Sequence, residues 1–164
     1  MPILDSHSFE FISRSPEQTR RVGMRLGGLL QAGDLLCLVG DLGAGKTTFV
    51  QGIAAGWGSA DAVSSPTFVL VNVYRRMDGG RFHHLDAYRL SGAAEAIDLD
   101  LDAMLVAGPL VVEWAERVWT ALPGDYLRIQ LSYVNENQRD LLVSPHGSRS
   151  AELLEAFRRQ LYGA

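Results

Sequence analysis

The stretch Leu35-Leu36-Cys37-Leu38-Val39-Gly40-Asp41-Leu42-Gly43-Ala44-Gly45-Lys46-Thr47-Thr48 decides what kind of chain this is. Its first five residues are apolar without alternation, the pattern of a central strand covered on both faces. Gly40 to Thr47 then fit the spacing of glycine, four residues, glycine, lysine and a hydroxyl residue. From the chain's own residue frequencies such a match arises by chance roughly once in a thousand. Glycines at these places let successive backbone N–H groups converge on one anion, and a helix starting near Thr47 turns its positive end toward the same point. Lys46 is then placed to reach the β- and γ-phosphates of a nucleotide and the Thr47 hydroxyl to bind Mg²⁺, while Thr48 reads more simply as a first-turn residue. The plain alternative is a glycine-rich turn that holds no ligand.

Lys46 is also the only lysine among 15 basic residues. A chain that otherwise writes arginine has here a compact, three-donor ammonium on a flexible stem, which suits a phosphate better than a planar fork does.

Working outward, Phe9 to Ile12 reads as a short strand, and Ser15-Pro16-Glu17-Gln18 as an N-cap, a proline at the first helical position and a capping-box glutamine. Val22, Leu26, Leu29 and Leu30 continue one apolar face until Gly33. After the loop, Phe49, Val50 and Ile53 point inward from a helix that closes near Gly56 to Gly58. Phe68 to Tyr74 and Arg81 to Leu85 flank Met77-Asp78-Gly79-Gly80, a hairpin signal. A helix is predicted over Ala93 to Val106, a strand over Leu110 to Val112, two strands over Tyr126 to Tyr133 and Arg139 to Val143, and an amphipathic helix over Ala151 to Leu161. This alternation predicts a three-layer α/β sandwich with a mixed, partly parallel sheet, residues 1–164 forming a single phosphate-loop domain.

The chain of 164 residues is 47% hydrophobic and 21% charged with a net charge of −4, so it folds rather than remaining disordered. The acidic balance supplies no basic field for autonomous DNA or RNA binding, and any contact with RNA is expected to come through a partner. No apolar run approaches a membrane span. The lone Cys37 and the lack of a basic-then-apolar leader point to the cytoplasm as an expectation.

Phosphate transfer also needs a carboxylate at the end of a neighbouring strand. Leu110-Val111-Val112-Glu113 and Phe82-His83-His84-Leu85-Asp86 each end in one. Glu113 is expected near Mg²⁺ or its waters and Asp86 as a second acidic ligand or a base; the alternatives are a solvated helix-capping acid and a partner of Arg89. Thr67, in Ser65-Pro66-Thr67-Phe68, either offers its hydroxyl to metal or water or belongs to a simple turn. Trp114 reads first as a packing residue, His83 and His84 lack zinc-site spacing, and Cys37 belongs to the core strand.

Four stretches in this order, Gly40 to Phe49, Ser65-Pro66-Thr67-Phe68 with Tyr74, His84 to Leu90, and Val112-Glu113-Trp114 with Glu116, resemble the bacterial TsaE (YjeE) ATPases over almost the whole chain. The resemblance implies a P-loop ATPase that works on a complex of TsaB and TsaD in the threonylcarbamoyl modification of adenosine 37 in tRNA. It implies that Asp41, Leu42, Gly43, Ala44, Gly45, Lys46, Thr47 and Thr48 hold the phosphates of ATP or ADP. Thr47 and Glu113 look like the magnesium pair, Asp86 like a required acid, Thr67 like part of a switch and Trp114 like the tryptophan after the metal glutamate. Gln18, Thr19 and Arg139 lie where the family holds adenine. A small-molecule kinase and a nucleotide-gated binding module with incidental hydrolysis share the phosphate loop and remain as alternatives.

Overall fold

The computed structural model describes residues 8–41, 44–63 and 71–163. Its elements are β1 (Phe9–Ser13), α1 (Pro16–Gly27), β2 (Leu35–Val39), α2 (Lys46–Trp57), β3 (Val71–Arg75), β4 (Arg81–Asp86), α3 (Ala93–Ile97), α4 (Leu101–Ala107), β5 (Leu110–Glu113), β6 (Tyr126–Tyr133), β7 (Arg139–His146) and α5 (Ser148–Tyr162), with short 3₁₀ turns after β4 and β5. Among the described residues the strands form one seven-stranded sheet in the order β1-β7-β6-β2-β5-β4-β3. The centre is parallel, β6 with β2, β2 with β5 and β5 with β4, and both flanks are antiparallel.

The period-two geometry of β2 explains why it is apolar throughout. Leu36 and Leu38 enter a core shared with α1, α2 and α5, including Leu26, Phe49, Ile53 and Phe157. Leu35 and Cys37 enter a second core on the opposite face with Leu85, Leu101, Leu110 and Val112. The sheet is therefore covered on both faces, as the unbroken apolar run requires.

Helix α1 starts at its expected cap, with Ser15 Oγ accepting from Gln18 N at 3.0 Å, while Gln18 Oε1 reaches one residue farther back than a capping box does and accepts from Arg14 N at 2.7 Å. Helix α2 begins at Lys46, one residue ahead of the expected Thr47. The hairpin turn forms at residues 76–80, where Asp78 Oδ1 accepts from Gly80 N at 2.9 Å and Gly79 takes φ of 90°. The expected start of its first strand, Phe68, lies outside the described residues. The single helix expected over Ala93 to Val106 is instead two short ones. Asp100, at φ of 57°, accepts from Ala103 N at 3.3 Å and starts α4, so a side-chain cap displaces the helix hydrogen bond that would have run through. Strand β7 runs on past Val143 to His146; Val143 is the last residue paired with β1, so Pro145 stands where the β1 ladder has already stopped.

Helices α1 and α2 meet backbone to backbone. A Cβ built on Gly27 would stand 1.9 Å from Ile53 O, one on Gly52 2.0 Å from Arg20 O, one on Gly56 2.0 Å from Met24 O and one on Gly23 2.4 Å from Phe49 O. The paired Gly-x-x-x-Gly spacings, 23–27 and 52–56, put these glycines on facing stripes. Gly27→Ala or Gly52→Ala should therefore cost about 1–3 kcal/mol or more by overpacking. Gly92→Ala, where no atom lies within 4 Å of the added carbon, should leave stability near wild type. Chemical denaturation of the three variants checks this.

Candidate functional site

Strands β2, β5 and β4 are parallel neighbours, and their C-terminal ends set the site. Glu113 pairs with Leu38 of β2 on one side and with Asp86 of β4 on the other, so two carboxylates stand on one rung beside the loop that leaves β2. Crevices at the carboxyl ends of parallel strands are where open α/β sheets bind ligands.

The loop is shaped by two glycines. At Gly40, φ is 149° and a Cβ would fall 2.3 Å from Leu131 O, so the chain passes β6 too closely for a side chain. Gly45, at φ of 94°, is the N-cap of α2, and its carbonyl accepts from Phe49 N at 3.0 Å. Ala44 N donates to Asp41 O at 3.1 Å. Leu42 and Gly43, expected to contribute amides, and Thr67, expected to contribute a hydroxyl, lie outside the described residues. Thr47 stands in the first turn of α2.

Lys46 is only 6% exposed. Its Nζ donates to Gly40 O and sits 3.9 Å from the centre of the Trp114 ring. Burial pulls the ammonium below its usual pKa, and Glu113, Glu116, Asp86 and Asp41 pull it back up. Trp114 takes φ of 58°, and its ring meets Tyr88 at 5.0 Å; the Arg117 guanidinium lies 5.0 Å from the other ring of that pair, Tyr88. Trp114 is thus partly a packing residue, as expected, and also a direct neighbour of the lysine.

Glu113 is 5% exposed, and its Oε2 lies 2.5 Å from His84 Nε2. His84 is fully buried, with Nδ1 3.0 Å from the Tyr74 hydroxyl. Zinc-site spacing, which His83 and His84 lack, gives this histidine no role of its own in the sequence. The signal was there: His84 is two residues before Asp86 on a strand, so both project from one face, and Glu113 lies diagonally across the next strand.

Asp86 is half-buried, and its Oδ1 accepts from Tyr88 N at 2.9 Å, starting the turn after β4. Burial is the largest influence on its carboxyl and raises it above the ordinary value, with Glu113 adding repulsion. Cys37 is buried in β2 and its thiol is pushed up by burial, which makes it inert.

Beside the start of α2, Pro16, Thr19, Gly45, Thr48, Asn137 and Arg139 line a cavity of about 40 Å³. It brings Thr19, Thr48 and Arg139 together beside Gly45. Arg139 is braced by Nη1 bonds to Asn135 O at 2.6 Å and Gln138 O at 2.9 Å, and its guanidinium lies 4.8 Å from the Tyr133 ring. Gln18 is not gathered here. Its amide oxygen is occupied by the α1 cap, and it lines a different groove with Phe11, Arg21 and Arg25. Among the described residues no group of three or more His, Cys, Asp or Glu side chains forms a metal cluster.

Fold and site together define a phosphate-loop α/β sandwich with acids at two adjacent strand ends. The family model described as "Threonylcarbamoyl adenosine biosynthesis protein TsaE" matches residues 13–141, and the chain belongs to this family. The tRNA threonylcarbamoyladenosine biosynthesis protein TsaE of Streptomyces coelicolor is 48% identical over 114 residues, 68% of this chain and 77% of its own length. The protein of the same name from Bacillus subtilis is 35% identical over 146 residues, 88% of this chain and 90% of its own. The crystal structure of YdiB from Bacillus subtilis superposes with a TM-score of 0.77 at 29% identity, covering 93% of this chain and 95% of that one.

Because the folded protein holds the Asp86 proton to higher pH than the unfolded chain does, ionisation of Asp86 subtracts stability as pH rises from about 4 through its raised value. Asp86→Asn keeps an oxygen for Tyr88 N and removes that loss. Its Tm should exceed wild type at pH 7.5, with the gain shrinking toward pH 4, as read by thermal melts across that range.

Proposed function

We propose that this protein is a P-loop ATPase required for threonylcarbamoyl modification of adenosine 37 in tRNA, acting in the cytoplasm on a complex of TsaB and TsaD. The observation that carries this reading is the placement of Lys46: the protein's one lysine, nearly buried at the N-terminus of a twelve-residue helix, beside Glu113 and Asp86. The names borne by its relatives supply the pathway.

In this reading the backbone amides of residues 41–48 and the positive end of α2 bind the phosphates of ATP, with Lys46 leaving the Gly40 carbonyl to meet them. The nucleoside end lies over Thr19, Thr48 and Arg139, whose small cavity is too narrow to enclose it. Thr47 and Glu113 are the residues that would hold Mg²⁺, and their donors fit it, being hydroxyl and carboxylate oxygens without sulfur. When bound, the ion supplies neutralisation of charge on the phosphate oxygens. Asp86, with its raised carboxyl pKa, is suited to accept a proton from the attacking water. Thr67 adds a hydroxyl from the Ser-Pro-Thr segment. The net charge of −4 fits a protein that reaches tRNA through TsaB and TsaD rather than by its own surface.

ATP hydrolysis and tRNA modification measured with and without TsaB and TsaD test the proposal. Wild type alone should turn over ATP weakly and faster with both partners. Lys46→Ala should lose about 100-fold or more of that turnover, together with the modification. Partner-independent turnover, or ATP-dependent phosphorylation of a small metabolite, would instead identify a kinase or a stand-alone hydrolase. Full multiple-turnover modification with a non-hydrolysable ATP analogue would make the protein a nucleotide-gated binding module.

A further inference from the structure

Behind Glu113 lies a buried line of polar groups that the reaction as proposed does not use. Asn72 Nδ2 stands 3.5 Å from the Tyr74 hydroxyl oxygen, that hydroxyl 3.0 Å from His84 Nδ1, and His84 Nε2 2.5 Å from Glu113 Oε2. His84 is fully buried and Tyr74 nearly so. The carboxylate end sets the direction of the line. A carboxylate only accepts, so His84 Nε2 carries the hydrogen that faces Glu113. With that hydrogen on Nε2, Nδ1 of the neutral ring is an acceptor, and the Tyr74 hydroxyl, 3.0 Å away, is the donor that fits it. Tyrosine thereby holds the histidine ring, and histidine orients the carboxylate.

We propose that His84, with its ring held by Tyr74, is the positioning residue for Glu113: it holds one carboxylate oxygen so that the other is presented in a fixed rotamer to a divalent cation. This rests on the reading of Glu113 as a holder of Mg²⁺. The topology favours it. Phe82, His84 and Asp86 alternate onto the face of β4 that Val111 and Glu113 share on β5, so the ring spans one diagonal of the sheet, with the Tyr74 ring beside it and Phe82 and Trp57 packed in turn beyond Tyr74. A ring held by packing and by a second hydrogen bond cannot swing aside, and a carboxylate bonded to it loses its own rotamer freedom before any ligand arrives. The arrangement is the one by which metal-site ligands are oriented from behind, here with the histidine as support and the carboxylate as ligand.

Calorimetry of ADP binding to the full-length chain, with and without Mg²⁺, reads the effect directly. The ratio of the two affinities reports the hold on the cation independently of turnover. Glu113→Gln should abolish the Mg²⁺-dependent tightening. His84→Leu should reduce it about 10- to 100-fold while leaving metal-free ADP binding unchanged. His84→Gln, whose amide N–H can stand in for Nε2–H, should recover much of it, and Tyr74→Phe should fall between. In the ligand-free wild type, ¹⁵N NMR should find the His84 ring as the Nε2–H tautomer. Full Mg²⁺ enhancement in both His84→Leu and Tyr74→Phe, with Glu113→Gln inactive, overturns the positioning role alone. An Nδ1–H tautomer also overturns it, and together with Tyr74→Phe it decides the matter if His84→Leu does not fold. Wild type that binds ADP equally with and without Mg²⁺ removes the metal reading of Glu113 and this role with it, and wild type that binds no ADP removes the nucleotide reading itself.

Discussion

A positive charge that water barely reaches governs this site. Lys46 is desolvated, yet what touches its ammonium is a carbonyl dipole and the face of an indole, with Glu113, Glu116, Asp86 and Asp41 acting from farther away. Each of those partners stabilises a cation less than an oxygen of a phosphate does, because none offers a full negative charge in contact. On the proposed reading the ammonium is thus kept charged and close at hand without being locked into a buried ion pair, which a ligand would have to break. The nearby acids favour its charged form against burial, which opposes it.

Holding that geometry requires α2 to begin at a fixed height above the sheet, and the glycine-lined contact with α1 provides it. Four glycines let the two helix backbones touch, so their separation is set by backbone atoms rather than by side chains that can change rotamer. Helix α1 is in turn pinned at its start by Ser15 and Gln18, next to Thr19 and the small cavity by Gly45. The opposite side of the site is set by the register of β2, β5 and β4, which leaves Leu38, Glu113 and Asp86 level with one another. A slip of one residue in any of these pairings would send the acids to the other face of the sheet.

The loop, the doubly covered strand and the two acid-ending strands were legible because each is written locally: unbroken apolar residues, glycine spacing, and a carboxylate just past an apolar run. What was not legible depends on pairs of distant residues. Neither Gly-x-x-x-Gly spacing means anything until the helices are known to cross. His84 looks like an ordinary strand residue until β4 is set beside β5 in register. The break at Asp98-Leu99-Asp100 turned on whether an aspartate would cap or continue, and propensity alone does not settle that competition. Gln18 shows the reverse case: its side chain, occupied at the start of α1 by Arg14 N, lines a groove with Phe11, Arg21 and Arg25 and not the cavity beside Gly45, a placement that neither its spacing nor the family likeness foretells.

Trp114 shows why the end of β5 is built against local preference. In a continuing strand its side chain would point to the face opposite Glu113. A left-handed residue with a bulky side chain is costly, of order 1–3 kcal/mol, and persists only where surroundings over-determine it. Here the turn lays the indole across the end of the sheet, packed against the second core on one side and under Lys46 on the other. The 3₁₀ turn Ala115–Arg117 follows at once and carries Arg117 to the exposed Tyr88 ring, so lysine, indole, phenol and guanidinium lie in consecutive contact from the loop to the surface. A displacement of the lysine changes what the indole packs on, and the next contact in that line is already at the protein's exterior. The strained backbone at 114 is therefore what brings the loop and the outer surface within two ring contacts of each other.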